Sequence, residues 1–127
     1  MGYEEIARQF FAAAEAGDVK GLAAVCSVDM TAQQNNTPAM GLPDLQKFTL
    51  AVKRAIPDFH YENGICSVTA SGFVEEHDIV GTLSDGTRLS MRLCVVADIV
   101  NGKIVSLREY ADSYGARGLI KAVSEGR

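Results

Sequence analysis

The sequence has no apolar run long enough to cross a bilayer. Uninterrupted stretches such as Phe10–Ala14 and Leu93–Ala97 fall far short of the roughly 20 residues a membrane span requires, so no membrane role is expected. Cysteine is scarce. Cys26, Cys66 and Cys94 form neither a C-x-x-C pair nor a disulfide framework, and their odd number and wide spacing fit a reducing cytoplasm. With only His60 and His77 as imidazoles, a structural zinc site is short of ligands, and neither a metal nor a cofactor is expected. No basic, then apolar, then small-residue segment opens the chain, so a secretory signal is not expected. Positive charge is also in short supply. Against 16 Asp and Glu stand 12 Lys and Arg, a net charge of −4, and Lys53-Arg54 is the one adjacent basic pair. That balance speaks against nucleic acid as a partner. The phosphate-binding and nucleophile-elbow motifs G-x-x-x-x-G-K-[ST], G-x-G-x-x-G and G-x-S-x-G are missing, which leaves nucleotide and serine-hydrolase readings without support.

What remains is globular composition. The 127 residues are 47% hydrophobic and 22% charged, enough for one core, whereas halves of this chain would be too small to bury one each. Ile6, Phe10, Phe11, Ala13 and Ala14 recur at helical spacing and predict a helix from about Tyr3 to Ala16. Gly17 offers its C-terminal cap, and Asp18 an N-cap for a short second helix through Leu22, Val25 and Cys26. Met30 to Asn36 reads as a short strand entering a polar loop. A third helix begins at Pro43 and Asp44, shows Leu45, Phe48, Val52 and Ala55 on one face, and stops at Pro57.

After that the period changes. His60–Ala70, Phe73–Leu83, Arg88–Val100 and Lys103–Tyr110 read as four successive strands. Asp85-Gly86 and Asn101-Gly102 are predicted type I′ hairpin turns. Helices followed by a strand meander predict an α+β fold in which a curved antiparallel sheet, cone-shaped, wraps the N-terminal helices. The mouth of such a cone is a natural pocket for a small hydrophobic ligand. Residues 124–127 are expected to fray.

Three strings, F-F-A-A-A-E-A-G-D from Phe10, V-N-G-K-I-V from Val100 and L-R-E-Y-A-D from Leu107, together with the order of elements, resemble the nuclear-transport-factor-2-like superfamily. The nearest groups are the SnoaL-like polyketide cyclases, ketosteroid isomerases and limonene-epoxide hydrolases. The resemblance covers almost the whole chain and implies a cystatin-like α+β barrel, with 1–123 as one SnoaL-like domain. It implies fold more than function, since this fold hosts enzymes and binding modules alike. Matching to the ketosteroid isomerases places Phe10 at the tyrosine position, Val95 near the oxyanion aspartate and Gln33 or Gln34 near the base. All three chemical groups are missing, so steroid isomerisation is not expected.

Matching to the epoxide hydrolases implies Glu109 as the water-activating carboxylate, Asp78 as the acid and Asn35 as the asparagine. Glu76 then falls at the bridging-arginine position and Gln33 at the tyrosine. The same resemblance makes Val105, Leu107, Glu109 and Ala111 face the cavity. Leu89, Met91, Leu93, Val95 and Ala97 form its apolar wall. On the strand before, either Val74, Glu76, Asp78 and Val80 or Phe73, Glu75, His77 and Ile79 point inward, and the first set matches the hydrolase pattern. The expected catalytic residues are Asp78, Glu109 and His77. Gln33, Asn35, Phe10, Met91, Val95 and Glu76 are the expected ligand contacts. The chain reads as a cytoplasmic, cofactor-free acid/base enzyme (isomerase, cyclase or hydrolase) for a small oxygenated hydrophobic molecule. The alternative is a non-catalytic ligand-binding or assembly module. A homodimer is expected through the outer sheet face around Arg92, Cys94 and Val96.

Overall fold

The computed structural model of the chain describes residues 1–125. The order of elements is α1 (Tyr3–Ala16), α2 (Val19–Val25), β1 (Cys26–Gln34), α3 (Leu42–Ala55), β2 (His60–Val68), β3 (Gly72–Thr82), β4 (Arg88–Val100), β5 (Lys103–Ala111) and α4 (Ser113–Glu125). Local chemistry sets the helix ends. Gly17 takes a left-handed φ of 69° and turns its N–H back onto the Ala13 and Ala14 carbonyls, a conformation that costs a glycine little. Asp18 caps α2 by accepting from the Gly21 N–H at 3.0 Å. Pro43 opens α3 with Asp44 in its first turn, and Lys53 and Arg54 close it, both signs matched to the helix dipole.

The five strands form one sheet in the order β1-β5-β4-β3-β2. Strands β2 to β5 are the predicted antiparallel meander, but β1 lies parallel to β5, so the sheet is mixed. It is also open, with β1 and β2 as its two edges. Strand β1 begins at Cys26, four residues before its expected start. Asn101 and Gly102 both have positive φ, 52° and 76°, as a type I′ turn requires. The other hairpin differs. Only Gly86 has positive φ, the Gly86 N–H donates to the Leu83 carbonyl, and the Leu83 N–H donates to Thr87. This is a type I turn closed by a glycine bulge, with three loop residues instead of two.

The helices cover the inner face of the sheet, and the core lies between them. Ile6, Leu22, Met30, Ile56, Phe73 and Ile104 are almost wholly buried there, each worth about 1.5–3 kcal/mol of burial. Helix α4 is absent from the sequence expectation. It packs on α3 and β4 and buries Leu119, Ala122 and Val123. Ser124 and Glu125 belong to it, and the rest of the segment expected to fray, 126–127, lies outside the described residues. No helix among the described residues is long and apolar enough to cross a membrane.

Candidate functional site

Strand β5 supplies the central group. Alternation puts Leu107 and Glu109 on the inner face, and Leu107 is buried. Nearer its start the buried residue is Ile104, not Val105. A bulge between Asp98 and Ile99 moves the pairing from Asp98↔Ser106 to Ile99↔Ile104. Half-buried Glu109 borders two spaces. One is a cleft of about 360 Å³ under α4, walled by Phe48, Met91, Ala111, Leu119, Ile120 and the 34–37 loop. The other is a deep pocket of about 50 Å³ between Phe10, Leu45, Val95 and Leu107. Met91 lines the first space, and Phe10 and Val95 line the second. Burial raises the Glu109 carboxyl above the usual carboxylate range, and nearby His77 offsets part of that.

Strand β3 corrects the preferred register. Phe73, His77 and Ile79 are buried and Glu75 is half-buried on the inner face, while Glu76 is exposed on the other. Val80 is buried too, but apart from the core cluster. The cause is pairing: Phe73, Glu75, His77 and Ile79 stand opposite Ala97, Val95, Leu93 and Met91, and residues directly opposite share a face. Asp78 therefore points outward. It accepts from Arg92 Nη1 at 3.1 Å and from Asn63 Nδ2 at 2.9 Å, and these two donors hold its carboxyl below the usual range, Asn63 contributing most. Glu76 borders an outer-face groove with Arg92, Cys94 and Tyr110. Neither Asp78 nor Glu76 reaches Glu109, so the expected pair of cavity carboxylates does not form.

His77 takes the inward place instead. Its side chain is only 2% exposed, with Nδ1 3.0 Å from Glu75 Oε2. The ring lies 4.9 Å from Phe11 of α1 and 4.3 Å from Tyr61 of β2, centroid to centroid. Tyr61 faces inward opposite Ile79, and its own N–H donates to Glu15 Oε2 at 2.8 Å. Burial, with the field of Glu109 second, pushes the Tyr61 hydroxyl far up, so it stays a donor. Tyr61, Glu75 and Phe11, the neighbours of His77, are not among the ligand contacts expected from the sequence. Glu75 follows by alternation once His77 is taken as inward, whereas Tyr61 and Phe11 come to the ring through the β2–β3 register and the packing of α1.

The loop after β1 holds β5 in place. Asn35, at a left-handed φ of 48°, donates from Nδ2 to the Ala111 carbonyl and accepts from the Ala111 N–H, both at 3.0 Å, and its own N–H bonds the Glu109 carbonyl at 2.8 Å. Each end of its amide is thus tied to the Ala111 backbone, one bond to the oxygen and one from the nitrogen, while the residue borders the cleft. Gln33 likewise donates to the Thr37 carbonyl at 2.9 Å. Both side chains fix the edge of the cleft. Among the described residues no three His, Cys, Asp or Glu side chains come together as a metal-holding group.

The same architecture recurs in solved structures. A candidate SnoaL-like polyketide cyclase from Jannaschia sp. CCS1 superposes with a TM-score of 0.79 at 12% identity, covering 96% of this chain and 91% of that one. A cystatin-like-fold protein of unknown function from Xanthomonas campestris gives 0.78 at 17% identity over 94% and 98%. An LEH-like epoxide hydrolase from M. tuberculosis gives 0.74 at 15% identity over 98% and 90%. Identities this low speak for shared fold. None of the curated proteins compared matches the sequence. The model of the SnoaL-like domain, however, matches residues 7–107, from the first buried turn of α1 to the inner face of β5, and the chain belongs to that family.

Proposed function

We propose that the protein is a cofactor-free acid/base enzyme acting on a small, oxygenated hydrophobic molecule bound under α4, with Glu109 as the proton-transfer group. The observation that carries this is a carboxyl with a raised pKa on an otherwise apolar wall, between a roomy mouth and the core. A carboxylate drawn towards neutrality suits removal of a proton beside a carbonyl, its return at another atom, or activation of water. Apolar Phe48, Met91, Leu119 and Ile120 suit the substrate's skeleton. The phenylalanine at position 10 and the valine at 95 keep steroid isomerisation outside this reading. Glu109 lies two residues past the matched span, so its role rests on geometry. A cytoplasmic location goes with the reading, as does a homodimer through the outer face around Arg92, Cys94 and Val96. Sedimentation at micromolar concentration should give a dimer, and a monomer would remove that interface.

The test of the reaction is exchange of activated C–H protons into D2O. A panel of hydrophobic β-dicarbonyl and enone compounds is followed by NMR with wild type and Glu109→Gln. Wild type should catalyse exchange for at least one compound, and the variant should lose roughly 100- to 10,000-fold. Equal rates in the two proteins would refute the assignment. One observation favours the non-catalytic module instead: the depth of the fold is nearly filled by Phe10, Val95 and Leu107, leaving only about 50 Å³. Tight binding of panel members with no exchange in wild type would establish that reading.

A further inference from the structure

A second concavity lies away from the α4 mouth. It is a cleft of about 340 Å³ between α1 and the β2–β3 edge of the sheet. Its floor is aromatic. Phe11 of α1 stands edge-on to His77 of β3 at 4.9 Å and to Tyr61 of β2 at 5.8 Å. Tyr61 and His77 lie 4.3 Å apart with their planes at 36°. The rings thus make two walls that meet near a right angle, and all three border the cleft.

The edge strand leaves that floor open. Glu62 pairs with Asp78 and Ile65 with Glu76, so Asn63 and Gly64 together stand opposite His77 in a bulge. Asn63 takes a left-handed φ of 56° and gives its amide to Asp78 on the outer face. Gly64 borders the cleft, and a side chain beginning there would meet nothing within 4 Å. His77 is the deepest polar group of the floor, 1% exposed, with Nδ1 taken by Glu75. Nε2 makes no hydrogen bond within the described residues, yet no side-chain polar atom among them is both sealed from solvent and unpartnered. It therefore opens onto the cleft that His77 borders. With Nδ1 donating to an ionised Glu75, a neutral ring carries its lone pair on Nε2.

Above this floor the walls are acidic. Glu4, Glu15 and Glu75 border the cleft against one cation, Arg8, which is paired with Glu5. Glu15 holds the Tyr61 N–H and Glu75 the His77 ring, and each carboxylate keeps acceptor capacity to spare. We infer that this cleft is a second ligand site, which takes an organic amine as its ammonium, seated among Glu15, Glu75 and His77 Nε2 with its carbon skeleton on Phe11 and Tyr61. A primary ammonium has three N–H donors and no acceptor, the complement of carboxylates and a ring lone pair. The aromatic faces attract a cation as well. An anion would meet three carboxylates and a guanidinium that already has a partner. The site is separate from Glu109 and does not depend on its proposed role.

The test is an amide NMR titration at neutral pH with phenethylamine, beside 2-phenylethanol and phenylacetate as neutral and anionic probes of similar skeleton. The amine should saturate, move the amides of Tyr61, Gly64, Cys66 and Glu75, and bind at least about tenfold tighter than the alcohol, with the acid weakest. Glu15→Gln and Glu75→Gln each keep an oxygen to accept the existing hydrogen bond while removing the charge. Each should weaken the amine roughly tenfold and leave the alcohol unchanged. Should a variant fail to fold, wild type reads the same dependence through salt. Raising sodium chloride from about 50 to 500 mM should weaken the amine several-fold and spare the alcohol. Equal affinity for amine and alcohol would overturn the site, as would amine binding indifferent to both substitutions or to salt. Shifts confined to Met91, Ala116 and Ile120 would place the amine under α4 and overturn it too.

Discussion

Two carboxylates on neighbouring hairpins of the same sheet experience opposite surroundings. On the outer face, Asp78 lies against Arg92 and Asn63, and its pKa falls. Asp98 on that face is bound by Arg108 at 2.7 Å, and its pKa falls as well. On the inner face, Glu109 stands among apolar walls, and desolvation raises its pKa. The residue types are nearly the same, so the difference comes from the side of the sheet. Outside, partners and water stabilise the charge, and inside, desolvation opposes it.

That contrast can be broken most forcefully through packing. Phe73→Ala removes a wholly buried ring that meets Phe11 edge-on at 5.9 Å, and should cost about 3–5 kcal/mol in a urea melt. Val74→Ala, one residue along on the outer face, should cost far less, and equal losses would mean that the two faces are not distinct. The second comparison is electrostatic. Folding raises the Glu109 pKa, so the stability linked to it is full below the unfolded carboxylate pKa and is lost as pH rises through the folded value. Glu109→Gln should therefore stabilise the protein at pH 7 by roughly 0.5–2 kcal/mol, the gain fading towards pH 4. Asp78 runs the other way. Its lowered pKa gives stability that is present above the unfolded value and lost as pH falls through the folded one. Asp78→Asn should cost a little at pH 7 and nothing in acid, a small effect because the pair is open to solvent. Thermal melts of both variants from pH 3 to 8 decide the matter, and slopes of the same sign would contradict the assignment of faces.

Much of the fold is legible because its signals are local. Gly17-Asp18 marks the α1–α2 boundary, Pro43 and Pro57 bracket α3, and Asn101-Gly102 turns β4 into β5. The inner wall of β4 and the place of Glu109 follow from simple alternation. The face of β3 does not, because it depends on a loop length. A two-residue turn at Asp85-Gly86 would pair Asp78 with Leu93 and send Asp78 inward. The actual three-residue loop pairs His77 with Leu93, and that one-residue difference turns every side chain of the strand over. Helix α4 escaped notice for another reason. Gly115 and Gly118 each cost about 1 kcal/mol against alanine in a helix, and the apolar stripe through Leu119 and Val123 is rewarded only once α3 and β4 are there to receive it. Asn35 reads as a ligand contact because its backbone partner, Ala111, is 76 positions away in the chain.

The bulged hairpin at 84–86 also bears on how this cavity changes over evolutionary time. Ordinary point substitution alters a binding site one side chain after another. Re-forming this exposed loop as a two-residue turn at Asp85-Gly86, with Ser84 drawn into the strand opposite Thr87, would exchange the whole set at once, trading Phe73, Glu75, His77 and Ile79 for Val74, Glu76, Asp78 and Val80 against an unchanged β4. The strand thus carries a second, unexpressed lining on its reverse side, with carboxylates at two of its four positions. A lineage with this hairpin is one change of turn type away from a different interior chemistry, provided its core tolerates the trade.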